Sequence, residues 1–160
     1  MPGISRRSIL ASLTVLSAIA PFGGRLAAQS ASPTAAAKRV ALDGYDPVSY
    51  FTDGRPEKGS AAFTATFDDA TYWFKSAEHR AKFVADPDRF APQYQGFCAM
   101  TVARGAKAQP DPEAWTIADG KLYVFGTKDA VAVFKEQITG VLAKAGENWP
   151  ALRHRPSSDM

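Results

Sequence analysis

The chain has 160 residues, enough for one domain beside a leader. Its 19 basic and 16 acidic residues give a net charge of +3, but Arg6, Arg7 and Arg25 all precede residue 29, where no Asp or Glu occurs, so the remainder carries 16 of each sign. A neutral domain has no electrostatic footprint for nucleic acid or anionic lipid, and a single cysteine, Cys98, excludes an internal disulfide.

Met1 to Arg7 is short and basic, Ile9 to Ala20 is apolar apart from Ser and Thr, and Pro21, Gly23 and Gly24 end the run before the small residues at Leu26-Ala27-Ala28. This is the layout of a secretory signal peptide over residues 1–28. The apolar run is shorter than the roughly 20 residues a bilayer requires, so no stable membrane span is expected after cleavage. Arg6-Arg7 just ahead of a modestly apolar run predicts twin-arginine export, and hence a periplasmic or otherwise exported protein. Residues 29–39 are small, polar and Ala-rich, and read as a flexible linker.

From there the elements follow in order. Ala41-Leu42 reads as a short strand, Asp43-Gly44 as a turn, and Asp46 as the N-cap of a brief helix with Pro47 as its first residue. Phe63–Phe67 and Thr71–Lys75 alternate and flank Asp68-Asp69, which predicts a hairpin. Ser76 caps a helix to about Ala85, and Asp86-Pro87 stops it and caps a further turn to Phe90. Gln93–Gly96 is a connector, and residues 97–104 fit a helix or a strand equally. Ala106 to Glu113 reads as a loop. Trp115–Ala118 and Lys121–Phe125 flank Asp119-Gly120, a second hairpin. Val131, Phe134, Ile138, Val141, Leu142 and Ala145 repeat at steps of three and four, predicting one closing helix from about Lys128 to Ala145, with Trp149 packed just beyond it and a tail from Arg153. No internal repeat of useful period stands out. The expectation is a small single α+β domain over residues 40–152, with two antiparallel hairpins, short helices and an amphipathic C-terminal helix.

No Ser-His-Asp set, phosphate-cradling glycine loop or paired metal-ligand motif is present, so nothing in the pattern demands an enzyme. The soft or borderline donors are Cys98, Met100 and His79. Cys98 and Met100 share a face if their segment is a strand and diverge if it is a helix. Packing is the plainer role for a lone cysteine, and solvent exposure the plainer state for His79 among Glu78, Arg80 and Lys82. A thiol chemistry at Cys98 needs an exposed sulfur with a depressed pKa. Tyr45, Asp46 and Tyr50, with Tyr72 and Tyr94, are candidates to line a ligand cleft with hydroxyls inward; amphipathic core packing explains the same residues.

Three segments in order carry a family resemblance: Gly44-Tyr45-Asp46-Pro47-Val48-Ser49-Tyr50-Phe51, then Tyr72-Trp73-Phe74-Lys75-Ser76 leading to Phe83 and Asp86-Pro87-Asp88-Arg89-Phe90, then Gly96-Phe97-Cys98-Ala99. Together they resemble the YHS domain, and in particular an exported subgroup that ends in Trp-Pro, here Trp149-Pro150. The resemblance implies a treble-clef-like frame and makes copper or another soft metal the ligand to test. The thiol positions of metal-binding members fall here on Ser49, Lys75 and His79, of which only His79 is a good ligand. The expectation is therefore an exported binding or accessory protein of the bacterial envelope, taking a soft metal through Cys98 with His79 or Met100. The alternative is a frame without metal that presents a surface or aromatic cleft to an envelope protein or small organic molecule.

Overall fold

The computed structural model describes residues 38–156, all within one unit, Ala35–Met160. The predicted leader and most of the linker lie outside the described residues. The expected α+β class is met, with six helices and two small sheets. The first sheet has the order β1-β3-β2, from β1 (Arg39–Val40), β2 (Ser60–Phe67) and β3 (Ala70–Phe74); β1 runs parallel to β3 and β2 antiparallel to it. The second sheet is the hairpin β4 (Asp111–Ala118) and β5 (Lys121–Phe125). The helices are α1 (Ser49–Thr52), α2 (Ala77–Ala85), α3 (Pro87–Phe90), α4 (Ala99–Ala103), α5 (Lys128–Glu136) and α6 (Ile138–Leu152).

Local chemistry explains most boundaries. Ser76 Oγ accepts the His79 amide and starts α2, Asp86 accepts the Arg89 amide and starts α3, and Thr127 accepts the Ala130 amide and starts α5. Along β3, Ala70, Tyr72 and Phe74 point inward and Thr71 and Trp73 lie between them half-buried, the two-residue period of a strand. Fully burying a ring such as Phe83 contributes about 2–3 kcal/mol.

Several expectations are corrected. The first strand is Arg39–Val40, while Leu42, Asp43 and Gly44 form a tight left-handed turn with φ 54°, 49° and 76°. Residues 97–104 contain the helix α4, whose N-cap position is Cys98. The second hairpin begins at Asp111, inside the expected loop. The closing helix is two, broken at Gln137 (φ −120°, ψ 23°), and α6 runs through Trp149 to Leu152. The periodic apolar stripe continues across that break, which is why it reads as one helix.

The fold also contains a repeat. The first hairpin pairs Ser60 with Phe74 and Thr64 with Trp73, with an irregularity between. The second pairs Asp111 with Phe125 and Trp115 with Val124, irregular at the same place, so both registers map onto each other at a constant offset of 51 residues (64 to 115, 73 to 124). Each hairpin leads into a hydroxyl-capped helix whose phenylalanine, Phe83 or Phe134, is buried. Tyr72 meets Phe83 at 5.0 Å and 38°, and Tyr123 meets Phe134 at 5.2 Å and 38°. Phe74 meets Phe83 at 5.0 Å and 52°, and Phe125 meets Phe134 at 4.9 Å and 53°. Ahead of each hairpin stands a left-handed turn, Leu42-Asp43-Gly44 or Tyr94-Gln95-Gly96, closed by an amide from Tyr45 or Phe97. Gly44 and Gly96 both have φ +76°, which side-chain-bearing residues rarely adopt. The two halves are thus one supersecondary unit used twice, joined by α3 and closed by α6.

Candidate functional site

Asp46 is fully buried in the first half. Its Oδ1 accepts the Val48 amide at 2.8 Å, but the expected N-cap role is corrected: α1 begins at Ser49 with Val48 at its N-cap position and no side-chain cap, two residues later than Pro47. Its Oδ2 reaches across to the Lys75 amide at 2.9 Å and to His79 Nδ1 at 2.7 Å. His79 is only 6% exposed, against the expectation of a solvated residue, because Ser76 caps α2 and turns this ring inward onto Asp46. Ser49 Oγ donates to the Asp46 carbonyl at 2.7 Å and accepts the Glu57 amide at 3.1 Å. Lys75 Nζ turns outward to Asp53, a contact that raises the lysine's pKa and lowers that of the aspartate. Ser49, Lys75 and His79 therefore gather around one carboxylate in an internally satisfied polar corner. Among the described residues, no group of three or more His, Cys, Asp or Glu side chains could hold a metal ion.

The corresponding corner of the second half is open. Cys98, 4% exposed, and Met100 line a cavity of about 340 Å³ together with Thr101, Gly126 and Ala130. Gly126 and Ala130 stand where the first half has Lys75 and His79, and the small Ala130 leaves unfilled the space that the His79 ring takes in the first half. Cys98 and Met100 are thus brought to one cavity, which His79 does not line.

The foreseen cleft tyrosines separate. Tyr45 is half-buried under Lys58 Nζ, 4.3 Å from its ring. Tyr50 is buried, donates its hydroxyl to the Pro112 carbonyl at 2.9 Å and meets Trp115 edge-on. Asp46 is closed off as described. Tyr94, with Tyr72, lines a cavity of about 400 Å³, walled also by Phe67 and Trp149. Tyr94 meets Trp149 at 5.5 Å and 68°, and burial pushes its phenol pKa up to about 12. The strained turn that carries Tyr94 and Gln95 places both in the lining, and each left-handed non-glycine residue costs about 1–2 kcal/mol.

This cleft contains an unusual polar set. Tyr72 Oη, Gln95 Nε2 and Arg153 Nε are buried and have no hydrogen-bond partner. Tyr72 is fully buried and Gln95 is 7% exposed. Burial, opposed in part by the positive charge of Arg39, raises the Tyr72 phenol pKa. Arg153 Nη2 holds Asp68 Oδ1 at 2.5 Å across the cleft, leaving Nε unspent. Burying a polar group without a partner costs about 1–3 kcal/mol, and the three residues that carry these atoms all line the cleft, although the atoms themselves are closed off from its open space. Gln95, Trp149 and Arg153 were not foreseen: they come from a connector, a presumed helix flank and a presumed tail, with no local motif to flag them. No family model, curated protein or solved structure matches the chain.

Proposed function

We propose that this chain is an exported YHS-type accessory module of the bacterial envelope that binds a small organic molecule, without catalysing a reaction, in the cleft walled by Phe67, Tyr72, Tyr94 and Trp149. The observation that carries this is a cavity of about 400 Å³ walled by Phe67, Tyr94 and Trp149, whose lining residues Tyr72, Gln95 and Arg153 each carry a buried donor-capable atom without a partner. A concave site of several hundred Å³ that combines aromatic walls with polar groups is a common form of small-molecule site; here Phe67, Tyr72, Tyr94 and Trp149 share the lining with Asp68, Asp88, Gln93, Gln95 and Arg153. The satisfied corner at Asp46 supports the same reading, since the positions that would carry thiols in metal-binding members are spent on internal hydrogen bonds. The test is a fragment titration of the purified full-length protein, followed by tryptophan emission and saturation-transfer NMR. Binding that changes emission in the wild type and loses that effect in Trp149→Phe supports the reading; no fragment with a Trp149-dependent signal ends it.

A second reading is a soft-metal site, copper first, at Cys98 with Met100. It is favoured by the placement of both sulfurs on one cavity, since thiolate and thioether suit Cu(I). Metal content after purification and Cu(I) competition on wild type and Cys98→Ala decide it: stoichiometric metal lost in the variant supports it, and a metal-free wild type that does not compete for Cu(I) ends it.

A further inference from the structure

We infer that the ligand of the cleft is an organic anion, its flat apolar body against Tyr94 and Trp149 and its carboxylate or phosphate oxygens at the end bounded by Gln95 and Arg153, toward Arg39 and Lys107. This rests on the small-molecule reading of the cleft and adds the sign and orientation of the ligand.

Three features set the sign, the last two through the same cations. The unpartnered atoms want acceptors. Arg153 Nε can only donate, the Tyr72 hydroxyl is free to donate, and Gln95 offers an amide nitrogen. Secondly, the cleft adjoins another cavity of about 270 Å³ that shares Gln95 and Arg153 with it and is lined further by Arg39, Lys107 and Arg155. Thirdly, two cations there lack a carboxylate partner. The Arg39 guanidinium lies 4.0 Å from the centre of the Phe97 ring and Lys107 Nζ lies 4.8 Å from the same centre. Arg39 bonds the Gln95 carbonyl and the Gln109 side chain, and Lys107 bonds the Arg153 and Arg155 carbonyls. Neither forms an ion pair among the described residues.

Two cations sharing one ring in a half-buried place repel each other, and the ring quadrupole only partly offsets this. Burial lowers the pKa of Arg39, and burial followed by the Arg39 charge lowers that of Lys107. An anion beside them removes the penalty. The cations set the orientation, since Arg39, Lys107 and Arg155 line the cavity that shares Gln95 and Arg153 with the cleft. Asp68 is matched by Arg153 and Asp69 by Lys38. The charged head of the ligand therefore goes to the Gln95–Arg153 end and the ring system to Tyr94 and Trp149.

The experiment uses matched pairs on the purified full-length protein: phenylacetate, 4-hydroxybenzoate and indole-3-acetate, each against its neutral primary amide, titrated by NMR and by tryptophan emission. The carboxylates are expected to bind about tenfold more tightly than the amides. Lys107→Gln is expected to weaken the carboxylates about fivefold and leave the amides unchanged, and Lys107→Arg to restore them, which a merely structural lysine would not require. Amides that bind as well as the acids, with Lys107→Gln moving neither, overturn the anion inference and leave the cleft reading standing. If no member of any pair produces a Trp149-dependent signal, the cleft reading itself falls, and the inference with it.

Discussion

Asp46 and Cys98 occupy corresponding places in the two halves of the fold, each just beyond a left-handed turn closed by a glycine at φ +76°. The carboxylate is bound by the Val48 and Lys75 amides and by His79. Cys98 instead lines a cavity, because Ala130 stands where the first half has the His79 ring. The same supersecondary unit thus yields a sealed polar corner in one copy and a soft-sulfur cavity in the other. Histidine or alanine at the corresponding position of the following helix, His79 or Ala130, helps to decide which.

The sealed corner is a stability element. Asp46→Ala strands two buried amides and the imidazole, and is expected to lower the free energy of unfolding by about 3 kcal/mol. His79→Ala leaves the carboxylate both amides and is expected to cost about 1–2 kcal/mol. Urea denaturation of the two variants checks the ranking; equal losses would mean that the amide contacts contribute nothing.

The repeat makes a second quantitative statement. Phe83 and Phe134 have matched ring geometries and are both fully buried, so Phe83→Leu and Phe134→Leu are expected to cost similar amounts, about 1–2 kcal/mol each. A loss at one position at least twice that at the other would show that the halves are not packed alike.

Much of the scaffold was legible because its signals are local. Asp68-Asp69 and Asp119-Gly120 sit at the hairpin tips as read, and Ser76 and Asp86 cap the helices assigned to them. The left-handed turns were not legible, since a leucine or tyrosine at positive φ has no sequence mark and only Gly44 and Gly96 hint at them. The repeat escaped because it is carried by strand register and ring geometry, while few identities persist: Tyr72 and Tyr123, Phe74 and Phe125, Phe83 and Phe134. The burial of His79 was hidden by its charged neighbours, whose side chains leave the helix on other faces. The cleft draws on residues 67–72, 88–95 and 149–153. Whether a hydroxyl there finds a partner is a property of the assembled fold that no segment carries alone.

Alkaline stability follows from the phenols. Burial is the main cause that raises the pKa of both Tyr50 and Tyr72 above the ordinary value of 10.0. An acid whose pKa is raised by folding leaves stability intact below its unfolded pKa and removes it as pH climbs from there toward the folded value. Stability is therefore expected to hold up to about pH 10 and to fall above it, with tyrosinate absorbance lagging that of the unfolded chain. Denaturation at pH 8, 10 and 11.5, with absorbance near 295 nm, measures both; full ionisation of all tyrosines near pH 10 in the folded protein would contradict it.

Export has a simple test on the intact chain. Replacing Arg6 and Arg7 together by lysine keeps the charge and removes the paired guanidinium groups that a twin-arginine signal requires. The variant is expected to remain in the cytoplasm of a bacterial host while the parent reaches the periplasm, as read by cell fractionation. Undiminished export of the double-lysine chain would assign the leader to the general secretory route.

Tyr50 and Tyr72 provide the sharpest contrast between structural and ligand-directed hydroxyls, since both rings are buried and only one hydroxyl has a partner. Tyr50 donates to the Pro112 carbonyl, so Tyr50→Phe leaves a carbonyl short of a donor and is expected to cost about 1 kcal/mol. Tyr72 Oη has no partner, so Tyr72→Phe removes a desolvated hydroxyl and is expected to leave the ligand-free protein unchanged or more stable by up to about 1 kcal/mol. The same change is expected to weaken whichever carboxylate binds the cleft, because it deletes one of the three donors. Gain of stability with loss of affinity is the signature of a group held out of equilibrium packing for a ligand. Thermal melts with and without the bound carboxylate read both quantities, and a Tyr72→Phe variant destabilised as much as Tyr50→Phe would show that the hydroxyl already has a structural partner.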